Sequence, residues 1–261
     1  MPKTRVASYE TSQPIPLPTG FSGPARARSY FPQDDAPLRL HLLEISQGES
    51  LDFEPHAIDR LAHVWQGEVQ AGGQRLEAGS TLIVEHGASL EVSGLAEQSR
   101  IAVFSASAPL PNQRSGGRAH LLPRNRVPRV GANDSGTAGG LHANGKCAGC
   151  ELWLNENTLP PSPLPPPEEA NKGVHMHPED EIIFVTGGDI RLGNRVYEAG
   201  AALAVSRDTF YGFHPGPSGL SFVTFRPSAT NQIRFAAGGD YVHSDFWDAI
   251  DRIDYLEPIS G

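Results

Sequence analysis

The chain is short of charge, of cysteine and of long apolar runs. Only 20% of its 261 residues are charged, and acid outweighs base, 30 Asp and Glu against 21 Lys and Arg, for a net charge of −9. The basic residues are scattered, so the basic patch of a nucleic-acid binder is missing. The one local exception, Arg114 to Arg129, holds five arginines and no acid. Interleaved Pro and Gly make it read as a solvated linker. No apolar run approaches the roughly 20 residues of a membrane span, and the N-terminus lacks the apolar core of a signal peptide. The expectation is a cytoplasmic protein with neither nucleic-acid nor membrane partners. Two cysteines exclude a disulfide framework.

Glycine (28) and proline (23) are plentiful, together about a fifth of the chain. That excludes a coiled coil or helical array and points to short strands joined by turns. Strings such as IIFV, TLIV and RIAVFS can supply a buried core, which argues against general disorder.

Two stretches repeat. Residues 67–84, GEVQAGGQRLEAGSTLIV, align without gaps on residues 188–205, GDIRLGNRVYEAGAALAV, at an offset of 121. Extending that offset over 54–94 and 175–215 gives ten identities in 41 positions, among them His56/His177, Asp59/Asp180, Val64/Val185 and Gly67/Gly188. In each half, alternating apolar segments are punctuated by turn residues every 8–12 positions or so, the spacing of a sandwich or barrel. RLHLLEIS (39–46) would place Leu40, Leu42 and Glu44 on one face and His41, Leu43 and Ile45 on the other. One helix is expected near the end, N-capped by Ser244, with Phe246, Ile250 and Ile253 at i, i+4, i+7.

Residues 175–181 read His-Met-His-Pro-Glu-Asp-Glu. On a strand, His175 and His177 share a face, and Glu181 keeps their parity. His214 follows 33 residues later, near the end of FYGFH, and a closed barrel can return it to the same point. Three imidazoles and a carboxylate suit a divalent transition metal with coordination positions left open.

These residues resemble the cupin superfamily. His175, His177, Glu181 and Gly188 (or Gly187) match its first motif, and His214 supplies the histidine that ends the second. Arg207-Asp208-Thr209 replaces the usual Pro-x-Gly turn, and the Asn expected after the second-motif histidine is missing. The resemblance implies an all-β fold of two tandem cupin (double-stranded β-helix, jelly-roll) barrels with a short C-terminal helix. The expected organisation is an extended arm at 1–37, a degenerate barrel at 38–106, a linker at 107–145, a metal-binding barrel at 146–230 and a C-terminal extension at 231–261. The implied ligands are His175, His177, Glu181 and His214, holding one divalent transition metal per chain, iron first, with manganese, nickel, zinc, cobalt and copper left open.

At the same offset the first half has Glu54, His56, Arg60 and Ser93 in the ligand positions. A guanidinium in place of the carboxylate would repel a cation, so this barrel is read as structural. His63 and His86 correspond to Phe184 and Arg207. Inward parity in the second half assigns Ile183, Val185, Phe210 and Gly212 to the pocket lining. Asn155, Asn157, Tyr211 and Arg226 are polar neighbours, with Arg226 placed in a surface ion pair rather than on a substrate carboxylate. Cys147 and Cys150 have the spacing of half a zinc ribbon or a redox pair. With no second pair and only His142 nearby, they are read as two thiols at the start of a strand. The proline-rich segment 159–173 is read as a semi-rigid loop.

The function implied is a metal-dependent cupin enzyme acting on a small organic molecule, a dioxygenase-type oxidoreductase first. The alternatives are a non-redox isomerase, lyase or decarboxylase, and a non-catalytic ligand-binding module. The long arm makes a homodimer the expected assembly.

Overall fold

A computed structural model gives the architecture and describes residues 4–33, 35–131, 138–162, 173–228, 232–238, 240–242, 247 and 250–258. The chain forms two compact units. The first comprises Met1–Glu10, Pro128–Asn144 and Trp153–Asp251, and the second Thr11–Val127, Gly145–Leu152 and Arg252–Gly261.

In the first unit an antiparallel sheet runs in the order Thr4–Ala7, Ala202–Val205, Glu181–Leu192, His214–Arg226, Trp153–Leu159, Ala138–Asn144 and Arg129–Val130. Arg195–Glu198 adds to Glu181–Leu192 at one side. A second, three-stranded sheet contains His175–Met176, Gln232–Phe235 and Asp240–Val242. In the second unit a seven-stranded sheet runs Ala119–Leu122, Thr81–Val84, Arg60–Gln66, Gln98–Ala106, Leu38–Ser46, Arg26–Ser29 and Gln13–Ile15. Its companion runs Phe21–Ser22, Ser50–Phe53, Leu90–Gly94, Glu68–Ala71 and Gln74–Glu77.

The expected arm and linker segments therefore contribute strands: Thr4–Ala7 to the first unit, Gln13–Ile15, Arg26–Ser29 and Ala119–Leu122 to the second, and Ala138–Asn144 to the first. In Leu38–Ser46 both parities are buried. Leu40, Leu42, Leu43 and Ile45 are each 1% exposed or less, so this strand is covered on both faces, and Leu43 and Ile45 join the second unit's core.

The 121-residue repeat persists in the backbone. Thr81 pairs with His63 and Val84 with Arg60; Ala202 pairs with Phe184 and Val205 with Glu181 in the same register. Gly79 N–H donates to the Val64 carbonyl (2.7 Å), as Gly200 does to Val185 (2.8 Å). Gly67 and Gly188 both take positive φ, 77° and 65°. The conserved aspartates also do one job. Asp59 accepts the His86 N–H at 2.7 Å, and Asp180 accepts the Arg207 N–H at 3.0 Å.

Of the described residues in the expected C-terminal helix, Trp247 is helical, with the Ile250 N–H donating to its carbonyl at 2.9 Å, and among them the helix goes no further. Ile250–Ile253 are not helical; Ile253 is buried, and Leu256 bridges to Leu121 instead. Spacing i, i+4, i+7 is too short a signal to distinguish a helix from a segment that buries apolar side chains while running extended. Ser244 and Phe246 lie outside the described residues, as does most of the proline-rich segment, 163–172.

Candidate active site

A cavity of about 520 Å³ opens in the first unit and brings together His175, His177, Glu181, Tyr211 and Arg226. Its volume is in the range of small-ligand sites. His175 comes from the short strand of the three-stranded sheet, where it pairs with Phe235 and bridges to Tyr211. Glu181 opens the Glu181–Leu192 strand, and Arg226 ends the His214–Arg226 strand.

Both histidines are oriented by backbone carbonyls. His175 Nδ1–H donates to Gly173 O at 2.8 Å and His177 Nδ1–H to Gln232 O at 3.1 Å. Each ring thus turns its Nε2 toward the cavity, and the Nδ1 bond is the second contact that metal-ligating histidines characteristically have. His175 Nε2 and the Tyr211 hydroxyl share a hydrogen bond of 3.1 Å. His177 Nε2 accepts from Arg226 Nη2 at 2.9 Å, and Arg226 Nε donates to Glu181 Oε2 at 3.2 Å. The other Glu181 oxygen is buried with no hydrogen-bond partner among the described residues. Burial, then the Arg226 and His175 charges, pushes His177 down to about 2. Burial, then the Glu181 charge, raises the Tyr211 hydroxyl well above its ordinary value, so it stays protonated.

His214 is not brought to this point. It pairs with Arg191, ten residues along the strand from Glu181, while Tyr211 and Phe213 line the cavity and Phe210 is 48% exposed. The parity assigned from the sequence, with Phe210 and Gly212 inward, is off by one, and in a strand that exchanges the two faces. The first half carried the signal: the counterparts of Tyr211 and Phe213 are Leu90 and Val92, both buried, and the counterpart of His214 is Ser93, which pairs with Gln70 in the equivalent register. Of the other expected lining residues, Ile183, Asn155 and Asn157 do face the cavity; Val185 packs in the core. Arg226 is 2% exposed, not a surface residue. Thr224, Ile233 and Phe235 also line the cavity and were not singled out in the sequence.

The donor set fits a divalent cation in kind: two imidazoles with their Nε2 lone pairs turned inward, and a buried carboxylate with one oxygen unpartnered. Arg226 bears on the same atoms, because its guanidinium bonds His177 Nε2 and Glu181. Cation and guanidinium are thus rivals for one carboxylate and one imidazole.

In the first half the corresponding position is closed. Arg60 is 3% exposed, donates to the Gly20 and Glu54 carbonyls, and lies over the Phe21 and Phe53 rings at 5.2 and 5.4 Å. His63 bonds Thr81 at 3.3 Å, and His86 bonds Asp59 at 3.0 Å. A larger groove of about 790 Å³ in that unit, beside Gly72, Ser89 and Glu257, has no such convergence of imidazoles and carboxylates.

No protein-family profile matches the chain, and no curated protein does. Solved structures do. A protein described as a "putative dioxygenase" from Nostoc punctiforme superimposes with a TM-score of 0.65 at 14% identity, covering 92% of this chain and 89% of its own. YlbA from E. coli gives 0.62 at 16% identity, over 86% and 90%. Bacillus subtilis oxalate decarboxylase, described with Mn(II) centres, gives 0.60 at 11% identity, over 88% and 79%. The fold is the cupin fold. At these identities the likeness speaks for the cupin architecture alone, and chemistry rests on the residues of the site.

Proposed function

We infer that the chain is a metal-dependent cupin enzyme acting on a small organic acid, built from two tandem cupin halves of which the second keeps the site. The observation that carries this reading is the buried Arg226 guanidinium, directed into the same cavity as His175, His177 and Glu181. His175 Nε2, His177 Nε2 and Glu181 would hold the cation, which would polarise a substrate oxygen or activate dioxygen.

The chain's own groups supply the rest. Arg226 presents a planar donor fork, the geometry that recognises a carboxylate. A substrate carboxylate that takes up this fork relieves the competition at His177 Nε2 and Glu181, so acid and cation favour one another. Asn155 accepts the Trp153 indole N–H through its carbonyl oxygen at 2.8 Å, which leaves its amide N–H groups for a substrate oxygen. Tyr211 keeps a proton beside Glu181. Ile183, Phe213 and Phe222 line the remaining wall and limit water.

Oxygen dependence separates the two reaction classes. The dioxygenase reading consumes dioxygen as a co-substrate; the decarboxylase-type reading, which the carboxylate-binding fork also suits, consumes none. The test is turnover of oxalate and related small acids by metal-loaded protein, in air and under strict anaerobiosis, with Arg226→Gln as control. Consumption of an acid that disappears in the control supports the reading. Metal-loaded protein that neither binds nor consumes any small carboxylate contradicts it.

A further inference from the structure

A second cluster of donors lies wholly within the other unit. Glu85 follows the Thr81–Val84 strand, and His120 sits on the Ala119–Leu122 strand paired with it, opposite Ile83. Cys147 and Cys150 belong to Gly145–Leu152, a segment closed at its neck by the Gly145 N–H on the Leu152 carbonyl at 3.0 Å. His120 Nε2 lies 2.8 Å from Glu85 Oε1. Cys147 Sγ lies 3.2 Å from that oxygen and 3.6 Å from the ring nitrogen. Donor atoms of Glu85, Cys147 and Cys150 all fall within 4.8 Å of one another. Glu85 is 0% exposed and Cys150 1%; His120 is also buried.

The surroundings bring these four groups together. Arg118 N–H donates to Glu85 Oε2 at 3.0 Å, leaving Oε1 toward the cluster. Arg114 donates to the carbonyls of Cys147 and Cys150, the latter at 3.0 Å, and to Glu151 at 3.1 Å. Gly149 is what lets the turn close on the carboxylate, because a methyl group there would fall 2.2 Å from both Glu85 oxygens. The imidazole that meets the cysteines is thus His120, 27 residues before Cys147, and not the nearer His142.

We propose that Glu85, His120, Cys147 and Cys150 form a structural site for a divalent cation of the zinc class. Two sulfurs, one ring nitrogen and one carboxylate oxygen are the ligand types and the number of a closed tetrahedral zinc site. On binding, each thiol gives its proton to solvent, His120 Nε2 releases the proton that it shares with Glu85 Oε1 in the empty site, and no electron moves. Two thiolates and a carboxylate would carry three negative charges, of which the cation offsets two. The site is independent of the activity proposed above.

The chain's two cysteines are both in this cluster, so thiol reagents and sulfur-to-metal absorption report on it alone. Full-length protein, reduced and stripped of metal, is titrated with cobalt(II). Sulfur-to-cobalt charge-transfer absorption should appear and saturate near one ion per chain. Zinc should abolish the bands and protect both thiols from an aromatic disulfide reagent. A His175→Ala/His177→Ala variant should retain both signals, which separates this site from the proposed active site. Arg114→Ala should bind zinc about tenfold more weakly, the effect of losing an outer contact. The wild-type measurement decides even if cysteine variants fail to fold. No charge-transfer absorption in the reduced wild-type protein, or thiols that react equally fast with and without zinc, overturns the proposal.

Discussion

Arg226 donates to His177 Nε2 across 2.9 Å, and both side chains are buried. This bond occupies the nitrogen lone pair that a metal would need, and the same guanidinium also bonds Glu181. Arg226 therefore has two duties in the proposed function, neutralising Glu181 when the cavity is empty and receiving a carboxylate when it is filled.

Replacing Arg226 should separate these duties. In metal-free Arg226→Gln, Glu181 is left buried without its partner, a change worth about 3–5 kcal/mol of stability. Added manganese(II) should restore much of that loss and should bind the variant about tenfold more tightly than wild type, roughly 1.4 kcal/mol. Calorimetric titration and thermal melts with and without metal check both effects. Weaker metal binding by the variant would contradict the rivalry.

His214 should be dispensable for metal binding. Because it pairs with Arg191 and does not line the cavity, His214→Ala should keep the metal content of wild type. His175→Ala and His177→Ala should each lose the ion at this site. Metal analysis of the three proteins, with the Cys147/Cys150 ions counted separately through cobalt–thiolate absorption, distinguishes the outcomes. Loss of the ion in His214→Ala would restore the motif-based assignment.

His41 should make the second unit sensitive to acid. Burial, then the nearby Arg39 charge, holds its imidazole down at about 4, while in the unfolded chain it titrates near 6.5. Between those values only the unfolded chain takes up the proton, so stability falls as pH drops from 6.5 toward 4 and this contribution then levels off. The loss is at most about 3 kcal/mol. Denaturant midpoints measured at intervals across that window should fall less steeply for His41→Gln than for wild type. Parallel slopes would remove His41 from the account.

The repeat predicts matched glycine effects. Gly67 and Gly188 occupy the same turn with φ of 77° and 65°, and an added methyl would fall 2.5 Å from the Gln98 carbonyl oxygen and 2.3 Å from that of Gly219. Gly67→Ala and Gly188→Ala should each cost about 1–3 kcal/mol. Thermal melts of the two variants check this, and a neutral effect at either position would break the equivalence.

Much of the architecture was legible because turn glycines and apolar alternation repeat at one offset, so Glu77-Ala78-Gly79 and Glu198-Ala199-Gly200 could be recognised as one device. His175, His177 and Glu181 were legible as neighbours in sequence that share a face. His214 was not, because its assignment depended on strand parity across a turn, where one residue exchanges inside for outside. The buried Arg226 could not be told from a surface arginine by its own sequence context; only the strand that returns it to Glu181 reveals it. The Glu85 and His120 partners of the cysteines were hidden for a similar reason, since the pairing of Thr81–Val84 with Ala119–Leu122 brings Glu85 to His120 and the loop that carries Cys147 then reaches a residue 62 positions earlier.

Sharing of the cavity around His177 and Arg226 by a cation and a small acid is tested by anomalous diffraction from crystals soaked in manganese(II) and oxalate. The expected result is an anomalous peak bonded to His175, His177 and Glu181, with the Arg226 guanidinium off His177 Nε2 and on a carboxylate. A cavity that holds neither ion nor acid at saturating concentrations, with Arg226 still on His177, would contradict it.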